Sequence, residues 1–324
     1  MNKRQLGNAN LMVSPIGLGC WQFSKARGIA GMYWGSIDQT RINDIVAISI
    51  SEGVNWFDTA EAYGSGTSEQ ALATALQHHK INPGDVIIAT KWQPVFRFAN
   101  SIHKTIENRI QSLSPYPVDI YQVHNPFSFS SVEKQMQAMA KLVQEKKISY
   151  IGVSNFSAMQ MRTAHKVLFK EGVSLISNQV RFHLLDRSIE KNGILETAKE
   201  LGITIIAYSP LAQGILSGRY HANPNLIKTK PGFRKFIPAF RKNELERTRP
   251  LIDELQKIAE KHDVTSAQIA LAWVISVHGE SIVAIPGASS AQQAKANAIA
   301  MNIKISEEDS HNLDTISSNM NKGQ

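Results

Sequence analysis

Asn55-Trp56-Phe57-Asp58-Thr59-Ala60-Glu61-Ala62-Tyr63 is an apolar run that stops at a carboxylate, and Gly64-Ser65-Gly66 follows at once. Trp56 and Phe57 suit a buried strand, and the glycine-rich turn keeps the Tyr63 phenol near the surface. The segment reads as a strand that delivers polar chemistry to its own end. A capping Asp and a packed Tyr would explain it equally well if it stood alone. What recurs on either side decides between the two.

Downstream, strand and helix patterns take turns. Strand Val54 to Asp58 is followed by helix Ser68 to Gln77, strand Val86 to Thr90, helix Ile102 to Leu113, strand Ile120 to His124 and helix Val132 to Glu145. The series continues with strand Tyr150 to Ser154, helix Ala158 to Phe169, strand Leu175 to Val180, helix Ile189 to Leu201, strand Thr204 to Tyr208, then strand Ile282 to Ile285 and helix Ala291 to Ala300. Upstream lie helix Arg41 to Ser51, a first strand at Ile16 to Gly19, and a short hairpin from Arg4 to Val13 turning at Gly7-Asn8. Eight strands alternating with helices predict a single (β/α)8 TIM barrel over residues 1–324, with the N-terminal hairpin as a lid on its bottom. A doubly wound sheet would carry a glycine-rich dinucleotide fingerprint after its first strand, and the chain has none. Between Tyr208 and Ile282 sit a basic loop, Lys228 to Lys235, and two helical runs, Glu244 to His262 and Ser266 to Val277. Long loops of this kind in compact domains are commonly functional.

The 324 residues are 43% hydrophobic and 19% charged, enough for a large core. Cys20 is the one cysteine, which rules out an internal disulfide framework or a cysteine-rich zinc site and suits the cytoplasm. No signal-peptide h-region or membrane-length apolar run occurs. The formal charge of +8 comes without a basic helix or stacking-aromatic module, so neither nucleic acid nor membrane is an expected partner.

In a barrel, chemistry gathers at the C-terminal ends of the strands. Those positions carry Asp58, Lys91, His124, Ser154 with Asn155, Gln179, and Tyr208 with Ser209, every one polar. The steps from Asp58 to Lys91 and from Lys91 to His124 each match one strand-helix unit, so the fold sets these groups side by side. Together with Tyr63 they form a proton-transfer set. A phenol with an ordinary pKa near 10 needs help to donate near neutrality. Lys91 is expected to lower that pKa, Asp58 to keep Lys91 charged, and His124 to offer a ring N–H to a substrate oxygen. Such a set serves half of a carbonyl reduction; the hydride must come from a nicotinamide or flavin cofactor.

Phe57-Asp58-Thr59-Ala60 with Tyr63-Gly64, Ala89-Thr90-Lys91, Val123-His124, Gly152-Val153-Ser154-Asn155-Phe156, Tyr208-Ser209-Pro210-Leu211 and Ile285-Pro286-Gly287 resemble, in order and spacing, the aldo-keto reductase superfamily. The resemblance covers nearly the whole chain. It implies a TIM-type barrel reducing aldehydes or ketones with NADPH rather than NADH, without a metal, and a catalytic tetrad of Asp58, Tyr63, Lys91 and His124. It implies that Ser154, Asn155 and Gln179 bond the nicotinamide carboxamide and that Tyr208 stacks on its ring. Ser209, Leu211, Gln213 and Gly214 would line the pyrophosphate, and Gly287, Ser289, Gln293 and Asn297 the adenosine end.

The chain departs from the family pattern at three points. Asn125-Pro126-Phe127 follow the histidine where a Trp is frequent, Ala296 stands where many members have a Glu against adenine, and Gly287 and Ser289 replace the Lys or Arg that some subfamilies use on the 2′-phosphate. The phosphate charge would then fall to Arg219, Arg234, Lys235 or Lys295. The Pro231-Gly232-Phe233-Arg234 loop resembles the branch containing pyridoxal reductases and general stress reductases, implying pyridoxal or another small aldehyde as substrate. Trp21, Tyr33, Trp34, Trp92 and Phe127 are the candidate pocket residues. A monomer or weak homo-oligomer is expected. The competing functions are a nucleotide-binding redox-sensing regulatory subunit and a lyase in which Lys91 forms a Schiff base.

Overall fold

The computed structural model describes residues 3–25, 35–229 and 236–320. Two short strands, β1 (Arg4–Gln5) and β2 (Met12–Val13), pair antiparallel. Eight more follow: β3 (Leu18–Gly19), β4 (Trp56–Asp58), β5 (Ile87–Trp92), β6 (Ile120–Val123), β7 (Tyr150–Ser154), β8 (Leu175–Arg181), β9 (Thr204–Tyr208) and β10 (Ile282–Ile285). These pair in parallel, each with its sequence neighbour. The ends of the series also meet, since Ile16 bridges Ala284 and Gly19 bridges Gly287, and the amide of Gly17 donates to the Ala284 carbonyl at 2.8 Å. A parallel sheet that returns to its first strand is a barrel, and the (β/α)8 expectation holds.

Helices α1 (Gln39–Ser51), α2 (Thr67–His78), α3 (Asn100–Leu113), α4 (Val132–Gln144), α5 (Ala158–Lys170) and α6 (Ile194–Leu201) each follow one strand, from β3 through β8. Local chemistry fixes where several begin. Ser131 caps α4, and Ser157 with Gln160 closes a reciprocal capping box at α5. After β9 come the short α7 (Arg219–Ala222), α8 (Lys242–Lys261) and α9 (Ser266–Ser276); α10 (Ala291–Ile299) and α11 (Glu307–Met320) follow β10.

The strands are buried on both faces, and the alternation of side chains divides the core in two. Outward residues such as Ile88, Trp92, Tyr121 and Val123 pack with the helices. Inward residues at the strand starts, including Trp56, Ala89, Ile120, Ile176, Ile206 and Val283, form a separate apolar floor with Leu6 and Val13 of the hairpin region. The hairpin is bonded there as well: the Gly7 amide donates to Thr204 Oγ1 at 2.7 Å, and Asn55 Nδ2 donates to the Met12 carbonyl at 2.9 Å. It closes the bottom of the barrel.

One helix expectation needs correction, and one helix is absent from the expectations. Ile189 to Leu201 is not one helix: a 3-10 turn at Ser188–Glu190 ends before Gly193, whose φ of 80° breaks the run, and α6 starts at Ile194. Helix α11 carries too weak an apolar stripe to stand out by periodicity. Polar contacts hold much of it: Lys261 Nζ bonds Asp309 Oδ1 at 2.6 Å, and Arg187 Nη1 bonds Asp314 Oδ1 at 2.6 Å.

Candidate active site

Above the apolar floor the inward positions turn polar. On β5 the inward series runs Ile87, Ala89, Lys91, so Lys91 stands inside the barrel just above Ala89. Asp58 ends β4 next door and is 1% exposed; Lys91 is fully buried. Nζ of Lys91 bonds Asp58 Oδ1 closely, donates to the Thr59 carbonyl at 2.9 Å and reaches the Tyr63 hydroxyl at 3.4 Å. An ammonium has three N–H donors, and here three oxygens stand around it.

The other carboxylate oxygen is held by amides. Gln122 Nε2 on β6 donates to Asp58 Oδ2 at 2.9 Å, and Gln179 Nε2 on β8 does so at 2.8 Å. Burial pulls the Lys91 pKa down, but Asp58 and then Tyr63 outweigh it and hold the ammonium above the ordinary lysine value. Lys91 is thus a buried cation with its countercharge in contact.

Tyr63 lies on the turn after β4, its ring 4.9 Å from Lys91 Nζ by centroid. Lys91 pulls the phenol pKa down as expected, but the net shift is upward. Burial raises it, Lys91 opposes without cancelling, and Asp58 adds to the rise. The phenol therefore stays protonated at neutral pH. His124, just past β6, stands edge-on to Tyr63 with ring centroids 5.6 Å apart at 78°. Burial, with the Lys91 charge added, pushes its imidazole down to about 3, so the ring is neutral at physiological pH. Its Nδ1 is buried with no hydrogen-bond partner among the described residues.

Across the mouth, Ser154 Oγ donates to the Gln179 carbonyl at 2.9 Å, Asn155 Nδ2 donates to Ser154 Oγ at 3.1 Å, and the Tyr208 hydroxyl donates to Asn155 Oδ1 at 3.1 Å. Asn155 sits at φ 60°, a conformation asparagine tolerates better than most residues. Gln179 Nε2 also reaches Gln122 Oε1 at 3.4 Å. Beyond Tyr208 the loop turns through left-handed backbone at Ser209, Ala212, Gln213 and Gly214. Two of its amides are used within the loop, Ala212 donating to the Ser209 carbonyl and Gly214 to the Leu211 carbonyl, each at 2.8 Å. Arg219 Nη2 lies 2.9 Å from where a Cβ on Gly214 would stand, which places a guanidinium directly at that turn.

Past the end of the neighbouring β10, Gln293 Oε1 accepts from both the Ser289 amide and its hydroxyl at 2.9 Å, and Asn297 Nδ2 donates to the Gly287 carbonyl at 3.3 Å. Lys295 is paired with Glu52 at 3.5 Å rather than standing free.

Of the pocket candidates, Trp21 is half-buried with its ring 6.2 Å from that of Tyr63. Trp92 is a correction: it is fully buried on the outward face of β5 and donates to Ser101 Oγ of α3 at 3.1 Å, so it belongs to the helix-facing core. With Lys91 pointing inward, its neighbour must point out. Phe127 is 73% exposed, outside the closely packed group around Tyr63. Tyr33, Trp34, Arg234 and Lys235 lie outside the described residues.

The sequence matches the profile of the aldo/keto reductase family over residues 15–318. The chain belongs to the aldo/keto reductase family. It is 37% identical over 298 residues to an uncharacterised oxidoreductase of Mycobacterium tuberculosis, covering 91% of this chain and 86% of that one. It is 29% identical over 316 residues to a probable aldo-keto reductase of Glycine max, covering 94% and 86%. Its fold is similar to the solved structure of a glycerol dehydrogenase from Gluconobacter oxydans, with a TM-score of 0.84 at 26% identity and 98% and 96% coverage. This aldo/keto reductase is accordingly an NAD(P)-dependent oxidoreductase.

A nicotinamide dinucleotide fits the residues present: the Arg219 guanidinium at the Gly214 turn suits a pyrophosphate, and the orphaned Nδ1 of His124 leaves a polar atom unpaired on the ring beside Tyr63. Among the described residues of this aldo/keto reductase, no group of three or more His, Cys, Asp or Glu side chains is arranged to hold a metal, and no helix is long and apolar enough to cross a membrane.

Three features escape a reading of the sequence. Gln122 is one, although a lone amide inside the apolar run Ile120-Tyr121-Gln122-Val123 is a signal in itself. Another is the support behind the Tyr63 turn: Arg109 lies 2.8 Å from Glu69 Oε2 and 3.6 Å from Glu61 Oε1, and Thr90 Oγ1 donates to Glu69 Oε1 at 2.5 Å. Burial, opposed by Arg109, still pushes the Glu69 carboxyl up to about 7. The third is Gln22, whose amide group lies 2.4 Å from where a Cβ on Gly287 would stand, so only glycine fits there without displacing it.

Proposed function

We propose that this chain is an NADPH-dependent carbonyl reductase that turns small aldehydes or ketones into alcohols, with Tyr63 as general acid. The observation that carries the reading is the set of three oxygens around Lys91 Nζ, those of Asp58, Thr59 and Tyr63. An ammonium held this way is poised to stabilise a phenolate as it forms, and it is a poor nucleophile for Schiff-base chemistry.

Bound NADPH supplies the hydride. Tyr63 passes its hydroxyl proton to the carbonyl oxygen as negative charge builds there, and Lys91 stabilises the phenolate left behind. Asp58 keeps Lys91 charged and in place. Neutral His124 offers a ring N–H to the same oxygen and so fixes the carbonyl's orientation. Asp58, Lys91 and His124 are thereby assigned to proton transfer and Trp21 to the pocket wall. Ser154, Asn155 and the Gln179 oxygen would hold the nicotinamide carboxamide, with Tyr208 against its ring. Ser209, Leu211, Gln213, Gly214 and Arg219 would take the pyrophosphate, and Gly287, Ser289, Gln293 and Asn297 the adenosine end. Arg219 is the favoured partner for extra phosphate charge among the described basic residues, because it already stands at the Gly214 turn and Lys295 is engaged by Glu52.

The same reading makes pyridoxal a candidate substrate and places the enzyme in the cytoplasm as a monomer or weak homo-oligomer. The test is spectrophotometric cofactor oxidation across pyridoxal, short aliphatic aldehydes, sugar aldehydes and ketones, with NADPH and NADH separately, and glycerol with the oxidised cofactors in reverse. Turnover with NADPH and several aldehydes is expected. Turnover restricted to NADH would overturn the cofactor assignment, and no carbonyl-dependent oxidation with either would overturn the function.

A further inference from the structure

The mouth rests on a polar layer that the proton-transfer scheme does not use. Gln122 is fully buried at an inward position of β6, directly above Ile120 of the apolar floor. It pairs in register with Lys91 on one side and Gly152 on the other. Barrel interiors at this level are commonly filled by branched apolar side chains, so a buried amide there needs a partner. Its partner is Asp58 Oδ2, at 2.9 Å. Space for it comes from Gly152, where a Cβ would lie 2.9 Å from Gln122 Cγ and 2.5 Å from Ser177 Oγ.

We infer that Gln122 is a positioning residue for proton donation, locking the Asp58 carboxylate so that Oδ1 faces Lys91 while Oδ2 is held from the opposite side. The inference rests on the carbonyl-reductase reading above. A carboxylate only accepts, so it selects the amide nitrogen of Gln122 rather than its oxygen and fixes which way the side chain points. By holding Oδ2, the Gln122 N–H keeps Oδ1 turned toward the Lys91 ammonium. Without it Oδ2 keeps only the Gln179 amide, at 2.8 Å, the carboxylate is held less firmly against Lys91, and the stabilisation of the Tyr63 phenolate weakens.

Three chains test this: wild type, Gln122→Leu and Gln122→Glu, with NADPH affinity from fluorescence quenching and pH profiles of kcat and kcat/KM for one aldehyde. Gln122→Leu is expected to leave NADPH affinity and KM within about twofold, to lower kcat about tenfold to a hundredfold, and to move the basic limb of the profile to lower pH. Gln122→Glu is expected to recover activity at low pH, where its protonated carboxyl donates to Asp58, and to lose it as that carboxyl ionises, adding a step absent from the other two. A thermal-unfolding cycle with Asp58→Asn gives a readout independent of turnover: Gln122→Leu should lower the midpoint clearly more in the otherwise wild-type chain than in the chain already carrying Asp58→Asn. An unaltered kcat and profile in folded Gln122→Leu, or a uniform drop with no change in profile shape, would overturn the positioning role while leaving the carbonyl-reductase reading intact. A wild-type chain with no carbonyl-dependent NADPH oxidation would overturn that reading, and this inference with it.

Discussion

The two ends of the same strands obey opposite rules. At the bottom, Trp56, Ala89, Ile120 and Ile206 meet Leu6 and Val13 in an apolar floor covered by the hairpin. One or two inward positions further along, the same strands present Asp58, Lys91 and Gln122, buried just as deeply. Burying a charge is costly unless it is paired and hydrogen-bonded, so the upper layer stands only because each group satisfies the next. The bottom is held mainly by apolar packing, while the mouth depends on a network of paired polar atoms. Stability and chemistry are thereby separated along the barrel axis.

That separation gives graded ways to break it. Lys91→Met should have the largest effect. It strands Asp58 without its countercharge, costing about 3–5 kcal/mol of stability and lowering kcat by about a hundredfold to ten-thousandfold. Adding Asp58→Asn should restore much of the stability and none of the activity, as urea unfolding and steady-state kinetics would measure. Leu6→Ala, in the floor, should cost about 2–5 kcal/mol in the same unfolding experiment while kcat/KM of the folded protein stays near wild type. A comparable loss of catalytic rate would mean that the two layers are coupled.

The last effect is confined to acid pH. The folded His124 imidazole is depressed to about 3, below its ordinary value of 6.5. Between those values the unfolded chain binds the extra proton, so the stability contributed by neutral His124 is fully present above pH 6.5 and is lost as pH falls toward 3. The slope is about 1.4 kcal/mol per pH unit. His124→Gln should flatten the acid side of a melting-temperature profile by that amount, and a slope unchanged by the substitution would contradict the neutral, buried ring.

Which parts of this are legible in the sequence follows from the same contrast. Asp58, Lys91 and His124 stand out because each ends an apolar run, and one strand-helix unit separates them, so topology alone brings them together. Gln122 lies inside such a run, where the eye takes the whole stretch as core. Trp92 misleads because an aromatic beside Lys91 suggests a pocket wall, whereas strand parity sends it to the other face. The sign at Tyr63 is hidden because sequence supplies the neighbour, Lys91, but not the depth of burial that outweighs it. The polar fastening of α11 through Asp309 and Asp314 joins residues far apart in the chain, and no local pattern reports it.

The central claim is that Tyr63 is the acid and that Lys91, held by Asp58, makes it one. The most direct measurement is a single-turnover reduction by Tyr63→Phe mixed with NADPH and an aldehyde, followed by the loss of reduced-cofactor absorbance, with NADPH affinity measured on the same preparation. The account predicts wild-type NADPH affinity and cofactor oxidation slowed at least about a hundredfold. Oxidation at the wild-type rate with unchanged affinity would contradict it.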